Sequence, residues 1–352
     1  MDNVRKLYPE GNISDTDLKR DFAKLTTPPV ETNVLEVKTA NEWIEEAKNK
    51  PIPLTLVDCL WYEKELAILF ADTNLGKSIF AVQIADALCN QTKIEPFSMS
   101  NKKFSVLYCD FEMSDKQFEN RYSKEYNEHY LFSPNFYRAE LNLDEFLIKD
   151  GFPIEDQICN EIISYIIKHN VDIVIIDNLT YIAREIEQSK NIAPLMQKLK
   201  LINKKYGTSI LVLAHTPKRD LSRPITNNDI NGSKFLANFA DSIFAIGKSA
   251  LDEKLRYVKQ IKSRNSEYIF GCENVAIFII EKDFNFLSFK FQKTDDESSH
   301  LHVRTKEEMS ELDQQIIDLH MKDPDLSYGQ IADMLSTNKM RVKRVIDKNA
   351  NS

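Results

Sequence analysis

An α/β fold with a mainly parallel central sheet, followed by a small all-α unit, is predicted by three features of this 352-residue sequence. Between residues 51 and 293, short continuous apolar segments alternate with longer amphipathic ones. This is the pattern of buried strands separated by helices that cover both faces of a sheet. One apolar segment runs straight into a glycine-bearing loop and then a helix, ADTNLGKS at Ala71–Ser78. From residue 306 onward the strand pattern stops and only helical periodicity remains.

Composition bounds what such a chain does. Apolar residues make up 42% and charged residues 28%, an ordinary globular balance. No apolar run is long enough to span a bilayer, and the N-terminal MDNVRKLYPEGNISD lacks a signal-peptide core. The expectation is a cytoplasmic protein without a membrane partner. Cys59, Cys89, Cys109, Cys159 and Cys272 are scattered with no C-x-x-C pair, which points to reduced, mostly buried thiols rather than disulfides or zinc. With a net charge of −8, nucleic-acid contact must come from local basic patches.

The elements follow in order. Residues 1–50 are polar and acidic, broken at TTPPVET, with one short helical pattern in TANEWIEEAKN, and read as an arm or accessory segment. Strands are expected at Leu66–Phe70, Phe104–Cys109, Ile173–Ile176 and Ile210–Ala214, and helices at Ser78–Cys89, Ser114–Glu125, Ile154–Lys168 and Ile192–Lys205. SIFAIG, LRYVKQIK, VAIFIIEKD and LSFKFQK read as further strands, some in hairpins. KTDDESSHLH is polar and reads as a linker over 294–305, before a separate helical unit at 306–352.

Ala71–Ser78 follows the phosphate-loop pattern G-x-x-x-x-G-K-[ST] with alanine in the first position. A strand, a loop of backbone N–H groups and a helix N-terminus together make an anion cradle. Its candidate nucleotide-binding residues are Ala71, Asp72, Thr73, Asn74, Leu75, Gly76, Lys77, Ser78 and Ile79. Lys77 reaches β and γ phosphates as a point charge, and Ser78 is a candidate Mg2+ ligand. Alanine at the first position gives up easy access to positive φ, whereas Asn74 tolerates a left-handed backbone. VDIVIIDNLT is a strand ending in Asp177, a second candidate for the Mg2+ site; the alternative is a helix-capping acid. VLYCDFEMS ends in Asp110 and Glu112, and Glu112 is the candidate general base or else a solvated strand-end acid. LVLAHTPK ends in His215 and Thr216 at the same sheet edge, where open α/β sheets bind ligands.

Together LAILFADTNLGKS, VLYCDFEMSDKQF, IVIIDNLTYI, LVLAHTPK, INGSKFLANFADSIFAIGKS and VKQIKSRN resemble the RecA/DnaB-like P-loop ATPases. The similarity is greatest to the branch of plasmid RepA-type hexameric helicases and related mobile-element ATPases, and covers about residues 51–293. The resemblance implies ATP and Mg2+ as cofactors, Glu112 as hydrolytic base, Asp177 as the Walker B acid and His215 as γ-phosphate sensor. It further implies that Lys262 and Arg264 of KSRN reach a neighbouring subunit's γ-phosphate, and so a homo-oligomer such as a hexameric ring. Read from the residues alone, KSRN is equally a solvated strand end. In related proteins the loop TPKRDLSRPITNNDINGSKF faces a channel that grips single-stranded DNA, which makes Lys218, Arg219 and Arg223 candidate DNA contacts; ordinary surface charges are the alternative.

The C-terminal unit has a helix-turn-helix rhythm. Ile316, Ile317 and Leu319 mark one helix, and Tyr328, Ile331, Ala332 and Leu335 a second. After the STN turn, Met340, Val342, Val345 and Ile346 supply the apolar residues of a third. Lys339, Arg341, Lys343 and Arg344 crowd that last helix with positive charge, as a helix reading duplex DNA requires; a protein-contact bundle is the alternative. The function expected is a DNA-associated ATPase, helicase-like, for replication, mobilisation or excision of a plasmid or mobile element. A DNA-binding regulator using ATP as a conformational switch is the second reading.

Overall fold

The structure, a computed structural model, describes residues 35–141, 154–178, 193–216, 219–230, 233–303 and 306–350. The chain forms two compact units, one ending at Ile52 and one beginning at Pro53. In the first, helix α1 (Ala40–Lys48) begins at a capping box in which Thr39 and Glu42 bond each other's backbone N–H, matching the helical pattern in TANEWIEEAKN.

The second unit is built on a nine-stranded sheet. Its strands in chain order are β1 (Leu66–Ala71), β2 (Val106–Asp110), β3 (Phe136–Ala139), β4 (Ile173–Asp177), β5 (Ser209–His215), β6 (Ser242–Lys248), β7 (Leu255–Lys262), β8 (Val275–Asp283) and β9 (Phe286–Asp295). Across the sheet they run β9-β8-β7-β6-β1-β5-β4-β2-β3. From β6 to β3 every pairing is parallel, whereas β7, β8 and β9 are added antiparallel. The expected α/β fold with a mainly parallel sheet is therefore present.

Continuous apolar strands make sense here because both faces are covered: every residue of β1, β2 and β4 is buried. On one face lies helix α2 (Lys77–Asn90), whose Phe80, Ile84 and Leu88 join Leu69, Phe278 and Phe289 in an aromatic-rich core. Helix α3 (Asp115–Arg121) follows β2. The other face is covered by α4 (Ile154–His169), α5 (Ala193–Tyr206) and α6 (Ser233–Phe239), with Ile162, Leu199 and Leu236 against Ile68, Val174 and Val212. Gly247 in β6 is paired with Tyr257 in β7, and a Cβ there would stand 2.1 Å from the tyrosine ring.

Three stretches differ from expectation. Strand β3 is four half-buried residues on the sheet edge, without the apolar run that marks its neighbours. The helix expected to reach Glu125 stops at Arg121, since Glu125 and Tyr126 take left-handed φ values of 51° and 60° in a tight hairpin turn. Residues 294–303 are not a free tether. Strand β9 runs on to Asp295, and the buried Glu297 carboxylate accepts from Ile225 N (2.8 Å), Tyr257 Oη (3.2 Å) and the Lys259 ammonium.

Helices α7 (Lys306–Lys322), α8 (Tyr328–Met334) and α9 (Lys339–Ala350) share a small core of Ile316, Ile331, Ala332, Val342, Val345 and Ile346. Ser336, with φ 49°, turns the chain between α8 and α9. Met340, expected among the apolar contacts of α9, is instead 76% exposed, because it lies on the opposite face from Val342 and Val345. Cys59, Cys89, Cys109 and Cys159 are buried free thiols, and Cys272 is exposed. No helix among the described residues is long and apolar enough to cross a membrane.

Candidate nucleotide site

The carboxyl ends of β1, β2, β4 and β5 lie side by side, as the register shows: Ala71 pairs with His215, and Asp110 with Asp177. Parallel strands necessarily deliver their C-terminal residues to one edge, so Lys77, Glu112, Asp177 and His215 are gathered there by topology alone.

The loop leaving β1 has the shape the motif requires. Ala71 closes the strand, buried and without positive φ, so no glycine is needed at that position. The left-handed residues are Asn74 (φ 62°) and Gly76 (φ 92°). Gly76 is constrained twice over: a Cβ there would come within 2.7 Å of Ile280 Cδ1 and 3.0 Å of Phe289 Cε2. Thr73 and Asn74 are exposed and Leu75 is buried; Ser78 and Ile79, half-buried, open the first turn of α2.

Lys77 is almost wholly removed from solvent, with a relative exposure of 6%. Its ammonium donates to Ala71 O (3.1 Å) and Asp72 O (3.3 Å) and lies 3.1 Å from His215 Nδ1. Burial lowers its pKa, while Asp177, Glu112 and Asp72 pull the other way. Asp177, also buried, is pushed up to about 6, chiefly by desolvation, against hydrogen bonds from Ser78 and Tyr108. Tyr108 on β2 donates to its carboxylate. The Ser78 hydroxyl and Asp177 carboxylate thus adjoin each other, two hard oxygen donors of the kind Mg2+ takes; the residues fit that ion.

Glu112 and Asp110 occupy different roles. Asp110 accepts from Glu112 N (3.2 Å) and Met113 N (2.9 Å) and pairs with Arg138 at 3.0 Å, so it shapes the strand end. Glu112 faces the site, where its Oε2 accepts from Asn178 Nδ2 at 2.5 Å. The same Asn178 nitrogen is 3.2 Å from His215 Nε2. A continuous polar path therefore runs Glu112–Asn178–His215–Lys77. Asn178 and Tyr108 are contributions the sequence motifs do not reveal, because a buried Asn or Tyr has no spacing signature.

Other candidates are placed differently. Arg219 does not reach outward as a DNA contact. Its side chain is 5% exposed, set 3.7 Å from the Asp72 carboxylate, and donates to Arg223 O at 3.0 Å. Asp72 also accepts from Thr216 Oγ1, which ties the phosphate loop to the segment after β5. Arg223 is exposed and pairs with Asp220. Lys218 lies outside the described residues. Lys262 and Arg264 are away from the cradle of their own chain. Lys262 donates to Ala237 O and Ala240 O at the end of α6, both 2.7 Å, and Arg264 pairs with Asp241 at 3.0 Å. On α9, Lys339, Lys343 and Arg344 are exposed, but Arg341 is not available to a phosphate: its guanidinium holds Asp313 of α7 at 2.7 and 2.9 Å.

Fold and site together define a RecA-like P-loop NTPase class. The chain belongs to the family described as AAA domain, whose model matches residues 32–220, more than half its length. No curated protein matches the sequence. Among solved structures it is similar to a KaiC-like protein from the hyperthermophilic archaeon Pyrococcus horikoshii, at 15% identity and a TM-score of 0.44. That match covers 65% of this chain and 90% of the other.

Proposed function

We propose that this protein hydrolyses ATP and couples the reaction to DNA. The observation that supports this best is the convergence of Lys77, Asp177, Glu112 and His215 on one sheet edge behind a helix N-terminus. Lys77 and the backbone N–H groups of Asn74–Ser78 bind the phosphates. Ser78 and Asp177 hold Mg2+, which neutralises phosphate charge when bound. Glu112 takes the proton of the attacking water, and His215 serves as the sensor of the terminal phosphate. DNA coupling is supported by α9, whose Lys339, Lys343 and Arg344 form an exposed basic row on a small helical unit of helix-turn-helix rhythm. In this reading Lys262 and Arg264 act on a neighbouring copy, and plasmid or mobile-element replication or mobilisation is the setting. A nucleotide-operated switch without strand separation is the second reading, favoured by the bonds from Thr216 and Arg219 to Asp72, which connect the phosphate loop to the segment beyond β5.

The test is ATP turnover by wild type and Lys77→Ala with no DNA, single-stranded DNA and duplex, alongside strand displacement. Wild type turns over ATP and responds to DNA; Lys77→Ala does neither. Unchanged turnover in Lys77→Ala refutes the site. Turnover without displacement selects the switch.

A further inference from the structure

We infer that Asn178 is a positioning residue for hydrolysis, whose side-chain amide orients the Glu112 carboxylate beside the His215 ring. The inference rests on the reading of Glu112 as the base. Its basis is the juxtaposition itself: Asn178 is 3% exposed, its Nδ2 is 2.5 Å from Glu112 Oε2, and the same nitrogen is 3.2 Å from His215 Nε2.

The Asn178 amide nitrogen is a donor and the Glu112 carboxylate beside it an acceptor. That hydrogen bond orients the carboxylate that must meet the attacking water. The His215 ring stands between two donors, with the Lys77 ammonium 3.1 Å from Nδ1 and the Asn178 amide 3.2 Å from Nε2, and Nδ1 accepts from the charged one. The side chain has to be an amide. An aspartate of the same size supplies no hydrogen to Glu112 and adds a third carboxylate beside Asp177 and Glu112. The strand end that carries Asn178 is buried, so the amide has a fixed mount: Asp177 is 1% exposed and its carbonyl accepts from Phe111 N at 2.7 Å. Positioning of this kind affects the chemical step more than binding, because misplacing a reacting group by about 1 Å costs on the order of 100-fold in rate.

The experiment compares Asn178→Ala, Asn178→Asp and Glu112→Gln in the full chain, measuring kcat, KM and the equilibrium affinity for a fluorescent ATP analogue. Asn178→Ala should lower kcat roughly 10- to 100-fold and leave KM and analogue affinity within about three-fold. Asn178→Asp, which fills the same space, should lose kcat at least as much. Adding Asn178→Ala to Glu112→Gln should cost little more, since both act through one carboxylate. Analogue affinity retained by Asn178→Ala and Asn178→Asp shows that both variants fold. An Asn178→Asp enzyme with wild-type kcat, or a loss confined to affinity, overturns the inference. If Glu112→Gln retains full activity, the base assignment falls and this inference with it. If Glu112→Gln is inactive while Asn178→Asp turns over normally, only the positioning role falls.

Discussion

Replacing Asp177 by asparagine should make the nucleotide- and metal-free protein more stable while removing its ability to use Mg2+. The carboxylate sits in a fully buried position at the end of β4, and burial pushes its pKa up to about 6 from an ordinary 3.8. A rise of that size corresponds to about 3 kcal/mol of disfavoured ionisation. Asparagine keeps the size of the side chain but offers one oxygen where the carboxylate offers two, so one of the Ser78 and Tyr108 hydroxyls loses its acceptor, at a cost on the order of 1–2 kcal/mol. The net gain is therefore about 1–2 kcal/mol at pH 8, or roughly 2–3 °C in Tm for a unit of this size. The sign follows from proton counting. Below pH 4 the carboxyl is protonated in both the folded and the unfolded chain, and the folded state suffers no ionisation penalty. Between about pH 4 and 6 the unfolded chain ionises first, so wild-type stability falls, and above pH 6 the penalty is constant. Scanning calorimetry of wild type and Asp177→Asn from pH 4 to 8, with chelator and no nucleotide, should show a Tm gap that opens over that window. A gap independent of pH, or a variant less stable than wild type at pH 8, refutes the assignment of a destabilised, buried carboxylate.

Two further outcomes are expected. Gly76→Ala should lose nucleotide binding and melt several degrees lower. A left-handed alanine costs about 1 kcal/mol or more, and its methyl group meets Ile280 and Phe289; a fluorescent-nucleotide titration and a thermal melt check both effects. Arg264→Ala and Lys77→Ala should each be inactive alone yet regain turnover when mixed, since in trans a finger is worth roughly 10³- to 10⁵-fold. A mixture that forms mixed oligomers and stays inactive returns Lys262 and Arg264 to their bonds with α6 and Asp241.

What is legible in the sequence is what repeats along the chain. Four buried strands are marked by unbroken apolar runs, and each extends by only a residue or so at its polar end, to Ala71, Asp110, Asp177 and His215. Those end residues are also the site, so strand pattern and site are read together. Side-chain pairing across the fold is not legible. Arg219 and Arg341 look alike in sequence to Arg223 and Arg344, yet the first of each pair is bound by an acid distant in sequence, Asp72 or Asp313. Asn178 is hidden for the same reason: its importance depends on Glu112 and His215, which lie 66 and 37 residues away. The polar run after β9 reads as a linker because a buried carboxylate such as Glu297 is identified only by the lysine and tyrosine that meet it.

The direction of β7 has a consequence for symmetry. Its last residue, Lys262, pairs with Ile243, which lies level with Ile68, about 10 Å back along β1 from Ala71. The cradle thus opens at one edge of the sheet and the Lys262–Arg264 cations stand toward the other. On the proposal that these cations act on a neighbouring copy, a contact repeated in one sense joins the cations of one copy to the cradle of the next, and such a heterologous contact closes into a ring or grows without limit. The two cases differ in arithmetic: a closed ring has as many completed sites as subunits, whereas an open chain always has one fewer.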